Sequence, residues 1–265
     1  VVRELGQGAM GTVYLGRDPK INREVAIKTL NLNDVEPDQL KEVKERFFRE
    51  AEAAGRLNHP NIVTIYDAGE EHDLAYMAME FLDGKDLSSH CSAKKLLPVT
   101  DVLQIAADVA DALAYAHNND VVHRDIKPSN LMLLKNGQIK VTDFGIARVV
   151  NSSQTQTGTI LGTPSYMSPE QVSGDRVKGA SDLFSLGVVC YELLSGQKPF
   201  VGDSLGSLMH NIANVKYTPL KRVKPGLPES CYTIVRKLLK KDIKDRYRNA
   251  TEVADALRKS IAKTG

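Results

Sequence analysis

The sequence predicts an α+β fold of two lobes, in which a small antiparallel β-sheet with one helix precedes a larger, mainly α-helical part. The prediction depends on how the apolar residues are spaced. Up to about Glu80 they come in short alternating runs, which is typical of strands, whereas after Gly84 they recur every three or four residues, which is typical of helices. We therefore expect lobes of residues 1–82 and 83–265.

The first lobe contains short segments whose β-branched and aromatic residues suit strands. These segments are residues 12–15, 25–27 and 74–81. Between residues 37 and 57 the pattern changes, because Val43, Phe47 and Ala51 recur at four-residue steps while charged residues fill the positions between them. This pattern predicts one amphipathic helix that buries a single face.

The second lobe contains segments with helical periodicity. These segments are residues 102–117, 183–194, 232–239 and 250–261. Two apolar patches, at 131–134 and 139–141, flank an Asn136-Gly137 pair that suits a tight turn, so we expect a small hairpin there. Residues 151–159 include no apolar side chain, which predicts an exposed, mobile loop.

Composition and charge exclude several classes of protein. The formal net charge of +2 does not provide the strongly positive electrostatic potential that attracts nucleic acid. The three cysteines lack the close spacing of a zinc or redox motif and are typical of reduced thiols in the cytoplasm. The longest apolar run, 183–194, is too short to span a bilayer and includes Glu192, so we expect a buried helix and no membrane contact. The start at Val1, without Met or a signal peptide, suggests a piece of a longer protein.

Gly6, Gly8 and Gly11 form a G-x-G-x-x-G pattern near the start of the chain. Taken alone, this pattern also fits dinucleotide-binding folds or an ordinary glycine-rich turn. The dinucleotide version opens a helix, whereas here β-branched and aromatic residues follow, starting at Thr12. The glycines are therefore predicted to lie in a hairpin whose backbone N–H groups approach phosphate oxygens closely.

Lys28 follows Val25-Ala26-Ile27 on a strand that is otherwise predicted to be buried. A buried ammonium needs anionic partners, because leaving it unpaired costs several kcal/mol or more. Phosphates are one candidate partner, and Glu50 on the inward face of the predicted helix is another. The alternative is a lysine at a strand end with its ammonium in water, which the glycine pattern and Glu50 together disfavour.

Residues 123–130 read His-Arg-Asp-Ile-Lys-Pro-Ser-Asn, and Asp143-Phe144-Gly145 follows after the predicted hairpin. Together with the glycine pattern, Lys28 and Glu50, this set resembles the eukaryotic-type protein kinases over nearly the whole chain. The resemblance implies the bilobal protein-kinase fold, with an activation segment at 143–170. It also implies transfer of the γ-phosphate of ATP to a hydroxyl group of a protein.

The roles of the central residues are implied by the same resemblance. Asp125 accepts the proton of the substrate hydroxyl, Lys127 steadies the γ-phosphate, and Asn130 and Asp143 hold Mg²⁺, with Mn²⁺ as an alternative metal. Two hard oxygen ligands suit Mg²⁺, which retains water and phosphate oxygens as its other ligands.

The resemblance extends to structural and nucleotide-binding positions. Glu170 in Ser168-Pro169-Glu170, where Ser replaces the family's usual Ala, is expected to pair with Arg246. Asp182 is expected to support the catalytic loop or, alternatively, to act as a helix N-cap. Core packing alone would also explain the apolar residues expected around adenine. The positions expected to contact the nucleotide, beside the glycines, Lys28 and Asp143, are Leu5, Val13, Ala26, Met79 as gatekeeper, Glu80 and Leu82 of the hinge, Asp86 and Met132.

Lys127 and the segment 162–166 resemble the Ser/Thr branch of these kinases more than the tyrosine branch. Substrates are therefore expected to be proteins with Ser or Thr hydroxyls. We expect autophosphorylation at Thr155 and Thr157, between the two copies of a homodimer, to order the polar loop. Mass spectrometry of the active protein would test this expectation. The sequences around Asp143 and Ser168 look most like those of bacterial members of the family. Many of these bacterial kinases are cytoplasmic parts of membrane-anchored receptors in signal transduction. A pseudokinase, a non-catalytic binding module, is the alternative, although Lys28, Asp125 and Asp143 are all retained.

Overall fold

The structure is a computed structural model, and it describes residues 1–8, 11–30, 40–71, 74–144 and 164–263. Thr155, Thr157 and the rest of the predicted mobile loop lie outside these residues, as does Gly145. The described chain contains one antiparallel five-stranded sheet, a second small sheet and a set of helices in the C-terminal part. The predicted α+β fold with two lobes is confirmed.

The five-stranded sheet forms the first lobe. Its strands occur in the order β1-β2-β3-β5-β4, and all neighbours are antiparallel. The strands are β1 (Arg3–Gly8), β2 (Gly11–Asp18), β3 (Arg23–Thr29), β4 (Ile65–Glu71) and β5 (Leu74–Glu80). The three strands that the sequence predicted are present, and β1 and β4 complete the sheet.

The register of this sheet decides which side chains share a face with Lys28. Val13 of β2 lies opposite Lys28 of β3, and Met79 of β5 lies opposite Ala26. Ala26 and Lys28 are two residues apart on one strand, and side chains at that spacing point to the same face. The lysine and three of the residues expected around adenine therefore lie on one side of the sheet.

The single helix of this lobe, α1 (Leu40–Gly55), falls within the predicted range 37–57. Val43, Phe47 and Ala51 are buried in one cluster with sheet residues such as Met77. Burial of this apolar stripe holds the helix against the sheet, because apolar area removed from water contributes about 25 cal/mol per Å².

The second lobe is built around α4, which is buried almost along its whole length. A helix that is apolar all round is stable only inside a core, and α2, α7 and α8 supply that core. The predicted buried helix at 183–194 is thus confirmed. The helices are α2 (Val99–Asn118), α3 (Pro169–Val172), α4 (Gly179–Ser195), α5 (Leu205–Asn214), α6 (Leu220–Val223), α7 (Glu229–Leu238) and α8 (Ala250–Ile261).

A three-stranded sheet lies at the start of the helical lobe. It consists of β6 (Gly84–Asp86), β7 (Leu131–Leu134) and β8 (Ile139–Val141) in that order. The turn between β7 and β8 includes Gly137 at φ 86°, a left-handed conformation that glycine adopts without a steric penalty. The predicted hairpin is confirmed, and it places the residues that follow β8 beside those that precede β7.

The chain between α1 and β4 is joined to this hairpin. The Val63 N–H donates to the Val141 carbonyl at 3.0 Å, and the Val141 N–H donates to the Asn61 carbonyl at 2.8 Å. Lys140, which is buried, reaches Glu80 at the end of β5 with its Nζ 2.8 Å from Oε2. These contacts tie the sheet lobe to the helical lobe beside the covalent connection after β5.

Among the residues that the structure describes, every helix is too short or too polar to cross a membrane.

Candidate active site

The segment before β7 is held by a buried carboxylate on α4. The Asp182 oxygens accept hydrogen bonds from the backbone N–H groups of His123 at 2.9 Å and Arg124 at 2.7 Å, and His117 Nε2 lies 2.8 Å from Asp182 Oδ2. The N-cap of α4 is Lys178, so the alternative of an N-cap role for Asp182 is wrong. A Cβ at Gly179 would lie 2.6 Å from His117 Nδ1, which explains why a glycine occupies that position.

His123 connects this segment to the end of β8. Its Nε2 lies 2.8 Å from the Thr142 carbonyl, and its ring packs edge-on against Phe144 with centroids 4.6 Å apart. A carbonyl can only accept, so Nε2 carries the proton and Nδ1 remains as an acceptor. Nδ1 accepts from the Asp125 N–H at 3.2 Å, which fixes the backbone of that residue.

The carboxylate of Asp125 meets two donors. Lys127 Nζ lies 2.6 Å from its Oδ2, and Asn130 Nδ2 donates to the same oxygen at 3.0 Å and to the Asp125 carbonyl at 2.8 Å. The side chains of Asp125 and Lys127 are about three-quarters buried, with 27% and 28% exposure. The structure thus brings together the predicted base, the predicted phosphate-binding lysine and one predicted metal ligand.

Asn130 also binds the strand end that carries the second predicted metal ligand. Its carbonyl accepts from the Thr142 N–H at 2.9 Å, and Asp143 is the next residue. With Nδ2 committed to Asp125, the amide oxygen is the atom of this side chain suited to a hard cation. No group of three or more His, Cys, Asp or Glu side chains that could hold a metal ion occurs in the described part of the chain. One carboxylate and one amide oxygen form a small donor set, which fits Mg²⁺ bound together with phosphate oxygens.

Lys28 forms an ion pair with Asp143, with 2.7 Å between Nζ and Oδ1. Burial alone would raise the pKa of the Asp143 carboxyl, but the charge and hydrogen bond of Lys28 outweigh it, so the pKa lies below its ordinary value. Asp143 also adopts φ 60°, an uncommon backbone conformation for a residue with a side chain. The buried lysine therefore has its anionic partner in the second lobe, a contact that the sequence did not predict.

For two predicted parts of the site, the structure describes only the backbone. Glu50 lies in α1, but its side chain is outside the described structure, so the predicted Lys28–Glu50 pair stays a prediction. Of the glycine pattern, Gly8 pairs with Gly11 across the end of the β1–β2 hairpin. Gly11 has φ 144°, which a residue with a side chain rarely adopts.

The positions expected around adenine occupy the sheet and the hinge. Ala26 and Met79 are buried, Val13 and Met132 are half-buried, and Leu5 is 36% exposed.

Two further expected nucleotide contacts already have hydrogen bonds of their own. The Glu80 N–H donates to the Thr64 carbonyl at 2.8 Å. The hinge groups expected to bond to adenine are therefore the Glu80 carbonyl and the backbone of Leu82. Asp86 accepts from the Ser88 N–H at 2.8 Å and caps the short 3₁₀ helix Leu87–His90.

Glu170 and Arg246 form a buried, bidentate ion pair. The two guanidinium nitrogens Nη1 and Nη2 lie 2.7 Å from the two carboxylate oxygens, and Ser181 Oγ donates to Oε1 at 2.7 Å. Burial alone would raise the pKa of Glu170, but the hydrogen bonds from Arg246 and Ser181 outweigh it, so the pKa is lowered. The structure therefore has the pair that the sequence predicted.

We expect Glu170 to make the stability of the domain depend on pH in the acidic range. A carboxyl whose folded pKa is lowered stabilises the fold fully above its ordinary pKa of 4.5, and this stabilisation is lost as pH falls through the folded pKa. Urea unfolding between pH 7 and pH 3 should therefore show a steeper loss for the wild type than for Glu170→Gln. Identical pH profiles for the two proteins would contradict the expectation.

Residues 1–257 match the family described as Protein kinase domain. The chain belongs to this family. It is 41% identical over 254 residues to Serine/threonine-protein kinase PrkC of Bacillus subtilis, covering 96% of this chain and 39% of the relative. It is 39% identical over 262 residues to Serine/threonine-protein kinase PknB of Mycobacterium tuberculosis, covering 96% and 41%. The chain thus spans about two-fifths of the length of these relatives. ATP and Mg²⁺ are what this family generally uses.

Proposed function

We propose that this domain transfers the γ-phosphate of ATP to Ser or Thr hydroxyls of proteins. The observation that carries the proposal is a network of contacts. Asp125 contacts both Lys127 and Asn130. The Asn130 carbonyl in turn bonds the N–H of Thr142, the residue before Asp143, and Asp143 pairs with Lys28. Such a network would supply a proton acceptor, two ammonium groups and two oxygen ligands to the same phosphoryl transfer. A pseudokinase could lack any of these groups, so their retention favours the enzyme.

Each group has a proposed task. Asp125 accepts the hydroxyl proton, and Lys127, 2.6 Å from it, offsets the charge that develops on the transferred phosphoryl group. Asn130 and Asp143 would hold Mg²⁺, which neutralises phosphate charge, and Mn²⁺ has the same preference for oxygen ligands. Lys28, held beside Asp143, is placed to bind the phosphates nearest that metal. Glu50 is proposed to orient Lys28.

Adenine is proposed to lie against the face of the sheet that carries Lys28. Ala26 and Met79 would contact it from the sheet, and the backbone of the hinge would bond to it, with the lobes dividing at residues 82 and 83. The other proposed nucleotide contacts are those expected from the sequence: Leu5, the three glycines, Val13, Asp86 and Met132.

The setting of this activity is also a proposal. PrkC and PknB are named as Ser/Thr protein kinases, and by analogy the domain acts on protein substrates in the cytoplasm, within a longer chain anchored in a membrane. Autophosphorylation of Thr155 and Thr157 between two copies would activate it.

Calorimetry with ATP tests the proposal. We expect binding that requires Mg²⁺, and Lys28→Met should weaken it about tenfold to a hundredfold, because a charged hydrogen-bonding partner of the phosphates is lost. Lys44→Met is the matched control, since it removes another ion pair of the same lobe, Lys44 Nζ to Glu70 Oε1 at 2.6 Å. Absence of Mg²⁺-dependent binding by the wild type would refute the proposed function.

A further inference from the structure

The peptide group between Arg124 and Asp125 is held at both ends. Its N–H, that of Asp125, donates to His123 Nδ1 at 3.2 Å, and its carbonyl, that of Arg124, accepts from Gln171 Nε2 at 2.8 Å. The peptide group is planar, so bonds at its two ends fix its rotation. That rotation sets the direction in which the Asp125 side chain leaves the backbone.

Arg124 has φ 68°, a left-handed conformation that costs about 1–3 kcal/mol at a residue with a side chain and persists only where surrounding contacts impose it. One such contact is the Arg124 N–H to Asp182 Oδ1 bond at 2.7 Å, and Gln171 supplies the other. The backbone polar groups on both sides of this strained residue are therefore bound by side chains from other elements.

Gln171 lies on α3, directly after Glu170, and its amide has two separate tasks. Its Oε1 accepts from the Ser168 N–H at 2.9 Å, and this bond forms the capping box of α3 together with the bond from the Gln171 N–H to Ser168 Oγ at 3.3 Å. Its Nε2 reaches across 47 residues of sequence to Arg124. The same side chain therefore joins the cap of α3 to the backbone beside Asp125.

We propose that Gln171 is a positioning residue for phosphoryl transfer, which orients Asp125 through the Arg124 carbonyl. The proposal deepens the proposed function and rests on it. Because the amide belongs to the segment anchored by the Glu170–Arg246 pair, it fixes the distance between the proposed base and α3. Its loss should lower the rate of transfer to a protein hydroxyl and leave the binding of nucleotide unchanged, since Gln171 contacts none of the groups proposed to bind phosphates.

Two variants separate the tasks of the amide. Gln171→Leu removes the side-chain half of the capping box and the bond to Arg124, while Ser168 Oγ can still accept from the backbone N–H of residue 171. Gln171→Glu keeps an oxygen for Ser168 but replaces the donor to Arg124 with a carboxylate oxygen, which repels the carbonyl. If the bond to Arg124 orients Asp125, both variants should lower kcat for a generic basic protein about tenfold, which is the scale of one hydrogen bond in a transition state. If only the cap matters, Gln171→Glu should retain its activity.

The experiment measures kcat and KM for both substrates, the Kd for Mg-ATP, and the urea midpoint, at equal phosphate content by intact mass. Gln138→Leu is the matched control, because Gln138 Nε2 donates to the Pro60 carbonyl at the same 2.8 Å in a different part of the chain. We expect lower kcat in both Gln171 variants, with an ATP Kd within the range of the control and a urea midpoint that leaves both variants fully folded in the assay. Unchanged kcat, or a fall in proportion to a loss of ATP binding or stability, would overturn the proposal. An inactive wild type would instead refute the proposed function.

Discussion

Asp125→Asn should lower kcat for phosphoryl transfer about 10²–10⁴-fold, which is the usual contribution of a positioned acid or base. The amide cannot accept the hydroxyl proton, and it removes the negative charge that pairs with Lys127, whose Nζ lies 2.6 Å from Asp125 Oδ2. The Kd for Mg-ATP should change little, because Asp125 is not among the groups proposed to bind phosphates. Transfer of radiolabel from ATP to a generic basic protein, measured beside nucleotide binding, checks both parts.

The matched control for this variant is Asp83→Asn. Asp83 also pairs with a lysine, with 2.9 Å between Lys135 Nζ and Asp83 Oδ2, but the pair is largely exposed. Exposed pairs contribute little, so this variant should label the acceptor at the wild-type rate. Equal labelling by Asp125→Asn and wild type would remove Asp125 as the base, although the fold and the nucleotide site would be unaffected.

Arg246→Met should lower the free energy of unfolding by about 3–5 kcal/mol, because it leaves a buried carboxylate without its charge partner. The Arg246 side chain is fully buried and donates to Glu170 as well as to the carbonyls of Ala180, Lys240 and Lys241. Methionine fills a similar volume but satisfies none of these acceptors. Urea unfolding at pH 7, where Glu170 is ionised, measures the effect.

Arg248→Met tests whether burial, rather than the ion pair as such, causes the loss. Arg248 Nε lies 2.7 Å from Glu252 Oε1, the same distance as in the buried pair, but the arginine is 87% exposed. We expect its unfolding curve to superimpose on that of the wild type. Similar losses in the two variants would show that burial of the Glu170–Arg246 pair is not the cause of the loss.

Much of the fold could be predicted from periodicity, and the exceptions have physical reasons. Helix α8 and strands β7 and β8 have the predicted bounds, because each combines a clear apolar pattern with a cap or a turn. Strand β4 was not predicted, since only half-buried or exposed positions occur in it, and its pairing with β5 decides its structure. Helix α5 was also missed. Its signal is a Ser204 N-cap followed by one fully buried residue, Ile212.

The site was predictable in its residue types but not in all its contacts. Asp125, Lys127 and Asn130 lie close together in the sequence, so the motif alone predicts that their side chains are in contact. The Lys28–Asp143 pair joins residues 115 apart, and nothing in either segment indicates the other. The sequence did not predict a role for Gln171. Its contact with Arg124 depends on how α3 docks, which is a property of the tertiary structure.

The hydrogen bonds between Val63, Asn61 and Val141 bear on how the two lobes move. The covalent crossing after β5 and these hydrogen bonds are two neighbouring attachments between the lobes, and a body fixed at two points can rotate only about the line that joins them. Widening of the space between the lobes is thereby restricted to a rotation about one axis, and sliding or twisting is opposed. Cleavage of the backbone between Phe81 and Gly84 should accordingly yield two fragments that stay together under native conditions.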